Sequence, residues 1–187
     1  MHKTFRLGGL LLSAALWAAP MAVQADTQVV YSDQTRNVFQ VDVPDFWKLR
    51  VGGPRELSPD GDEEIRAVER VFGLEPESEH GVWLGLISPP RFRSLEDAKE
   101  YARGLSGQLA KTTEILSAED RRVGIYPATV ITGTGTGRRD GRPVSFNVTM
   151  LDIKNGRVVV ALTIMSQGFD HSALADVNAI LTSIKAR

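Results

Sequence analysis

The sequence predicts an α+β domain of mainly antiparallel sheet flanked by helices, in an α/β/α sandwich, and three observations carry that prediction. Short β-branched runs recur from residue 28 to residue 165, several with period-two alternation. After residue 128 three such runs follow one another across turns containing Asp140-Gly141 and Asn155-Gly156, which pairs consecutive strands antiparallel. Two segments, beginning near Leu95 and Leu174, instead place apolar residues at spacings of three and four, as amphipathic helices laid on a sheet do.

The chain opens outside that domain. Met1 to Arg6 carries two positive side chains besides His2, Leu7 to Ala19 is uncharged and apolar, and Pro20 breaks the run. Val23-Gln24-Ala25 then places small residues where a signal peptidase reads them, so residues 1–25 are expected to be a secretory signal peptide. The apolar run falls short of the ~20 residues of a membrane span, and no membrane insertion is expected of the later sequence. Residues 26–187 are expected to form a single domain, periplasmic or secreted, and its 162 residues suffice to bury a core. With no Cys there is no lipobox, disulfide or thiolate site. The mature chain carries 20 basic and 23 acidic residues, a balance that argues against nucleic acid or an anionic membrane as partner.

Element by element, Gln28 to Tyr31 reads as a strand, and Val38 to Val43 as a half-buried one with Phe39, Val41 and Val43 on its apolar side, ended by Pro44. Lys48 to Val51 extends the β region up to the break at Gly52-Gly53-Pro54. Between residues 55 and 80 a short helix is favoured, capped by Asp62, with Ile65, Val68 and Phe72 on one face and Gly73 left-handed after its last turn. The same residues also suit a strand. Gly81 to Ser88 is apolar on both faces and reads as an interior strand. Ser94 with Asp97 resembles a capping box opening a helix through Leu95, Ala98, Tyr101, Ala102, Leu105 and Leu109. From Ile115 the pattern is β: Gly124 to Pro127 leads into Ala128–Thr136, and Val144–Ile153 and Val158–Met165 complete a meander. A closing helix, capped by Asp170 or Ser172, buries Leu174, Val177, Ile180, Leu181 and Ile184.

No motif for catalysis, cofactor or metal rises above background, and none is assigned. His80 lies beside Glu75, Glu77 and Glu79, which a solvated acidic turn explains better than a cation site. His171, at the start of the closing helix, needs no function. Gly133-Thr134-Gly135-Thr136-Gly137 lacks the lysine and the following helix of a phosphate loop, and strand glycines more often admit a close neighbour. The pairs Arg91 with Arg93 and Arg121 with Arg122 read as solvated turns, as does Arg138 with Arg139 and Arg142, although this last cluster is kept with Trp47 as a candidate partner contact. Asn147-Val148-Thr149 matches a glycosylation sequon but lies within a strand. Trp83, in a strand apolar on both faces, is expected in the core. Trp47, between Asp45 and Lys48, is expected over the sheet edge with one face partly exposed.

Val38-Phe39-Gln40-Val41-Asp42-Val43-Pro44-Asp45-Phe46-Trp47, followed later by Gly124-Ile125-Tyr126-Pro127-Ala128, resembles the opening strand and the Gly-x-Pro-Ala strand entry of PsbP/Mog1-like domains. Tyr126 adds one residue to the second match. The resemblance implies an antiparallel sheet with helices on its faces, in proteins that mostly bind and assist other proteins, and it carries over no functional residue. The expected function is therefore that of an exported, non-enzymatic accessory protein with a protein partner. The alternatives are a small-ligand carrier with an enclosed, weakly polar pocket between sheet and helix, or a hydrolase of unrecognised type.

The leader reading sets a mass: intact-mass spectrometry of protein recovered outside the cytoplasm should find a chain beginning at Asp26. A recovered chain that keeps Met1 to Ala25 contradicts the export expectation.

Overall fold

A computed structural model describes residues 26–33, 36–52, 55–57, 66–68, 71–78, 81–137 and 141–187. In chain order the elements are β1 (Asp26–Ser32), β2 (Asn37–Pro44), β3 (Trp47–Val51), β4 (Arg55–Leu57), β5 (Arg66–Val68), β6 (Phe72–Pro76) and β7 (Val82–Ile87). There follow α1 (Leu95–Leu109), β8 (Ala110–Val123), β9 (Tyr126–Gly137), β10 (Pro143–Asp152), β11 (Val158–Ser166), α2 (Ser172–Thr182) and β12 (Lys185–Ala186). The class is α+β, and every strand pair is antiparallel.

Seven strands form the main sheet in the order β3-β6-β7-β11-β10-β9-β8, and β1-β2-β12 form a smaller one. β11 shows why the main sheet needs cover on both sides. Val158 and Val160 join Phe92, Phe146 and Met150 in one core, where α1 packs. Val159 and Ala161 join Phe39, Val41, Leu84 and Ile180 in the other, under the small sheet and α2. Below, the first side is called the helix face and the second the inner face. The strand pattern predicted for Val38–Val43 is half-buried, yet Val38 and Gln40 are buried too. β2 is also a middle strand of its sheet: β12, which the sequence pattern does not reveal, pairs Lys185 with Gln40.

Where residues 55–80 are described, strands stand in place of the favoured helix. Arg55–Leu57 and Arg66–Val68 pair as the hairpin β4–β5, and Phe72–Pro76 is a strand of the main sheet. Asp62 and Ile65 lie outside the described residues. Gly73, expected left-handed, is extended within β6, paired with Gly85 and Arg50. Pairing across the sheet overrode a helical spacing that three residues alone supported.

The helix starts behave as local chemistry dictates. The Ser94 hydroxyl accepts from the Asp97 amide at 3.2 Å, and the Asp97 carboxylate accepts from the Ser94 and Arg93 amides at 2.9 and 3.0 Å. Hydrogen bonds to the carboxylate, from the Ser94 side chain first and then from the Arg93 amide, hold the Asp97 carboxyl below the usual carboxylate range. At α2 the Asp170 carboxylate accepts from the Ser172 amide at 2.8 Å, which lowers its pKa likewise. Elsewhere, buried Arg157 donates to the Ser88 carbonyl at 2.9 Å and pairs with Asp33, fastening the β1–β2 loop to the main sheet.

The alternating Gly-Thr run is part of β9, with its threonines and glycines on opposite faces. A Cβ on Gly133 would sit 2.4 Å from the Phe146 ring and 2.5 Å from the Glu114 carbonyl oxygen. The strand glycine therefore admits an aromatic ring from its neighbour β10 rather than a phosphate.

Candidate functional site

Trp47 and Trp83 occupy the reverse of their expected places. Trp47 is 5% exposed and belongs to the inner-face core, and its indole N–H donates to Asp176 of α2 at 3.3 Å. Its flanking charges misled: Trp47 and Leu49 share the inner face, because Leu49 stands opposite core residue Leu74, so alternation turns Lys48 the other way. The expected half-exposed position of Trp47 is thus corrected to a buried one.

Trp83 is half-buried and belongs to neither core. On β7, Val82, Leu84 and Leu86 point into the inner-face core, which leaves Trp83, Gly85 and Ile87 on the helix face. Ile87 is covered there, but α1 lies across β8 to β11. A Cβ on Gly85 would fall 2.3 Å from the Trp83 ring, and one on Gly73 would fall 3.1 Å from its Nε1. The indole therefore lies flat on the glycine backbone of two paired strands, β6 and β7. Beside it on the edge strand, Lys48 stands opposite Glu75 and Arg50 opposite Gly73, and the Arg50 guanidinium meets the Glu75 carboxylate at 2.6 Å.

A second feature lies on the inner face, at the far end of the sheet. Glu114, Thr134, Ser145 and Met165 are successive cross-strand partners on β8, β9, β10 and β11, and so share one face. Met165 belongs to the inner-face core, so the row continues that core as a polar surface. Residues Ser166 to Phe169 rise beside it and make an open cleft of about 510 Å³. Among its described lining residues Glu114 alone carries an ionisable side chain. A smaller cleft of about 270 Å³ lies between the small sheet and α2, lined by Asp26, Asp42, Pro44, Phe46, Asp176 and Ser183 among others.

The remaining candidates are dispersed. Arg142 is exposed beside the β9–β10 turn, where its carbonyl accepts from the Gly137 amide, and Arg138 and Arg139 lie outside the described residues. Arg91 stacks over Phe92 and Tyr101 at 5.5 and 5.3 Å, and Arg122 donates to the Ile125 carbonyl. Those basic residues fasten local structure. His171 packs against Phe169, whereas Glu79 and His80 lie outside the described residues. Among the described residues, no group of three His, Asp or Glu is placed to hold a metal ion, and no helix is long and apolar enough to cross a membrane. The sequon lies in β10 with Thr149 buried.

No protein-family model matches the chain, and no curated protein matches it. Among solved structures, one from Bacteroides thetaiotaomicron VPI-5482 is similar with a TM-score of 0.54 and 10% identity, covering 88% of this chain. The chain spans about half, 49%, of that protein's length. LpqN of Mycobacterium tuberculosis, involved in cell envelope biogenesis, aligns with a TM-score of 0.46 at 13% identity, over 86% of this chain and 91% of its own. PA94 of Pseudomonas aeruginosa aligns with a TM-score of 0.37 at 10% identity, over 75% of this chain and 83% of its own. At such identity the first of these likenesses concerns the fold alone.

The reversed tryptophans make a direct contrast. Trp47→Ala should cost about 3–5 kcal/mol of stability, and Trp83→Ala about 1–2 kcal/mol, read from urea unfolding of the mature chain. Acrylamide should quench Trp83, read in a Trp47→Phe protein, more strongly than Trp47, read in a Trp83→Phe protein. The opposite order would return Trp83 to the core.

Proposed function

We propose that this is an exported accessory protein, a sandwich of the PsbP/Mog1 type, that acts by binding a protein partner and performs no chemistry itself. The observation that supports this reading most is Trp83. A large aromatic ring that neither core uses, held flat on Gly73 and Gly85 and bordered by Arg50, has the composition of a binding hot spot, where tryptophan and arginine are enriched. The glycine floor matters physically. It fixes the ring before any partner arrives, so little side-chain entropy remains to be lost on binding. Trp47, buried against α2, has its ring committed to the fold; the aromatic anchor of this reading is Trp83.

A photo-crosslinking amino acid at Arg50, on the indole's face, tests the proposal in cells that export the full chain, with the same group at Ile125, 70% exposed in the β8–β9 turn, as the comparison. A discrete adduct with another protein is expected from position 50, absent from position 125 and lost when Trp83→Ala is added. Adducts equal at both positions, or unchanged by Trp83→Ala, overturn the reading.

A further inference from the structure

We infer that the inner-face cleft is a binding site for a neutral saccharide, an assignment that goes beyond the partner surface around Trp83 and uses other residues. The lining decides the ligand class. Thr112, Thr134, Thr136, Ser145 and Ser166 bring hydroxyls, Gln167 an amide and Glu114 a carboxylate, with no Lys or Arg among them. Among these described lining residues a phosphate or carboxylate finds no cation to pair with. An apolar guest would strip water from the hydroxyls and return no hydrogen bonds. A polyol does return them, because its own hydroxyls both donate and accept.

Threonines on a solvated strand face are ordinary, and two features set these apart. The row Glu114–Thr134–Ser145 continues into core residue Met165, and the Ser166–Phe169 segment walls it, so the hydroxyls line a concavity rather than an open face. The hydroxyls are also positioned in advance. Thr112 donates to Thr136 at 3.0 Å, and one row further in Ser117 bonds Thr132 at 2.8 Å. Each bonded hydroxyl keeps a free lone pair for a ligand. Glu114 is exposed and accepts from two hydroxyls on adjacent sugar carbons. Phe169, packed on the core and against His171, offers ring surface to sugar C–H groups. A volume of about 510 Å³ lies within the ~300–1,000 Å³ of ligand sites and suits about two or three sugar rings.

The test applies the mature protein to an immobilised panel of neutral di- and trisaccharides, with each hit titrated by calorimetry. At least one neutral sugar should bind. Glu114→Gln and Thr134→Val should each weaken it at least tenfold with the melting temperature unchanged, while Trp83→Ala leaves it intact. Binding of no panel member, binding indifferent to Glu114→Gln and Thr134→Val, or binding lost with Trp83→Ala overturns the assignment. The last result would place the sugar on the indole instead. Because neither variant touches the Trp83 surface, failure here and failure of the partner reading are separable.

Discussion

Strand β11 must be buried on both faces, and the rest of the molecule follows from that requirement. Val158 and Val160 look to one side, Val159 and Ala161 to the other, and none of the four is more than 1% exposed. A sheet with such a central strand has to recruit a layer on each side. α1 supplies one, while the small sheet and α2 supply the other. The hydrophobic contribution is concentrated there: β7, β10 and β11 carry residues of both cores, whereas β3 carries one buried side chain and β8 reaches a core only at Val123.

Cover that is fitted to the middle leaves the ends of the sheet to other uses. At the β3–β6–β7 end Trp83 rests on two glycines and belongs to neither core. Toward β8 the inner face turns from apolar to hydroxylated within single strands: on β9, Ala128 and Val130 are buried, whereas Thr132, Thr134 and Thr136 are half-exposed. The edge strand β8 bears its apolar pair Ile115 and Leu116, both more than half exposed, next to a register shift of the kind that bends edge strands away from unwanted pairing.

Much of this was legible in the residues, and the misreadings share a cause. Period-two runs revealed β2 and β10, a run apolar on both faces revealed β11, the Ser94/Asp97 pair the start of α1, and the Leu174–Ile184 stripe α2, because each is local chemistry. Where a signal was short, long-range pairing prevailed. Phe72, Gly73 and Leu74 have a helix-stop pattern, yet they form a strand whose glycine underlies an indole of the next strand. Trp83 reads as core because Val82-Trp83-Leu84-Gly85-Leu86-Ile87 is apolar throughout, and only knowing which side chains each core takes separates its faces. The cleft could not be read at all: its cross-strand row takes one residue from each of four strands, and only Thr134 drew notice in sequence, as part of a Gly-Thr run weighed for phosphate.

Amide hydrogen exchange of the mature chain, resolved by residue, tests the central claim that the sheet is covered on both faces over its middle alone. Amides of Val159 to Thr163 in β11 should exchange most slowly, at rates set by global unfolding, while those of Glu114 to Ser117 in β8 and of Lys48 to Val51 in β3 should exchange orders of magnitude faster through local opening. Protection in either edge strand equal to that of β11 would mean that a further layer covers the ends, and would contradict the account.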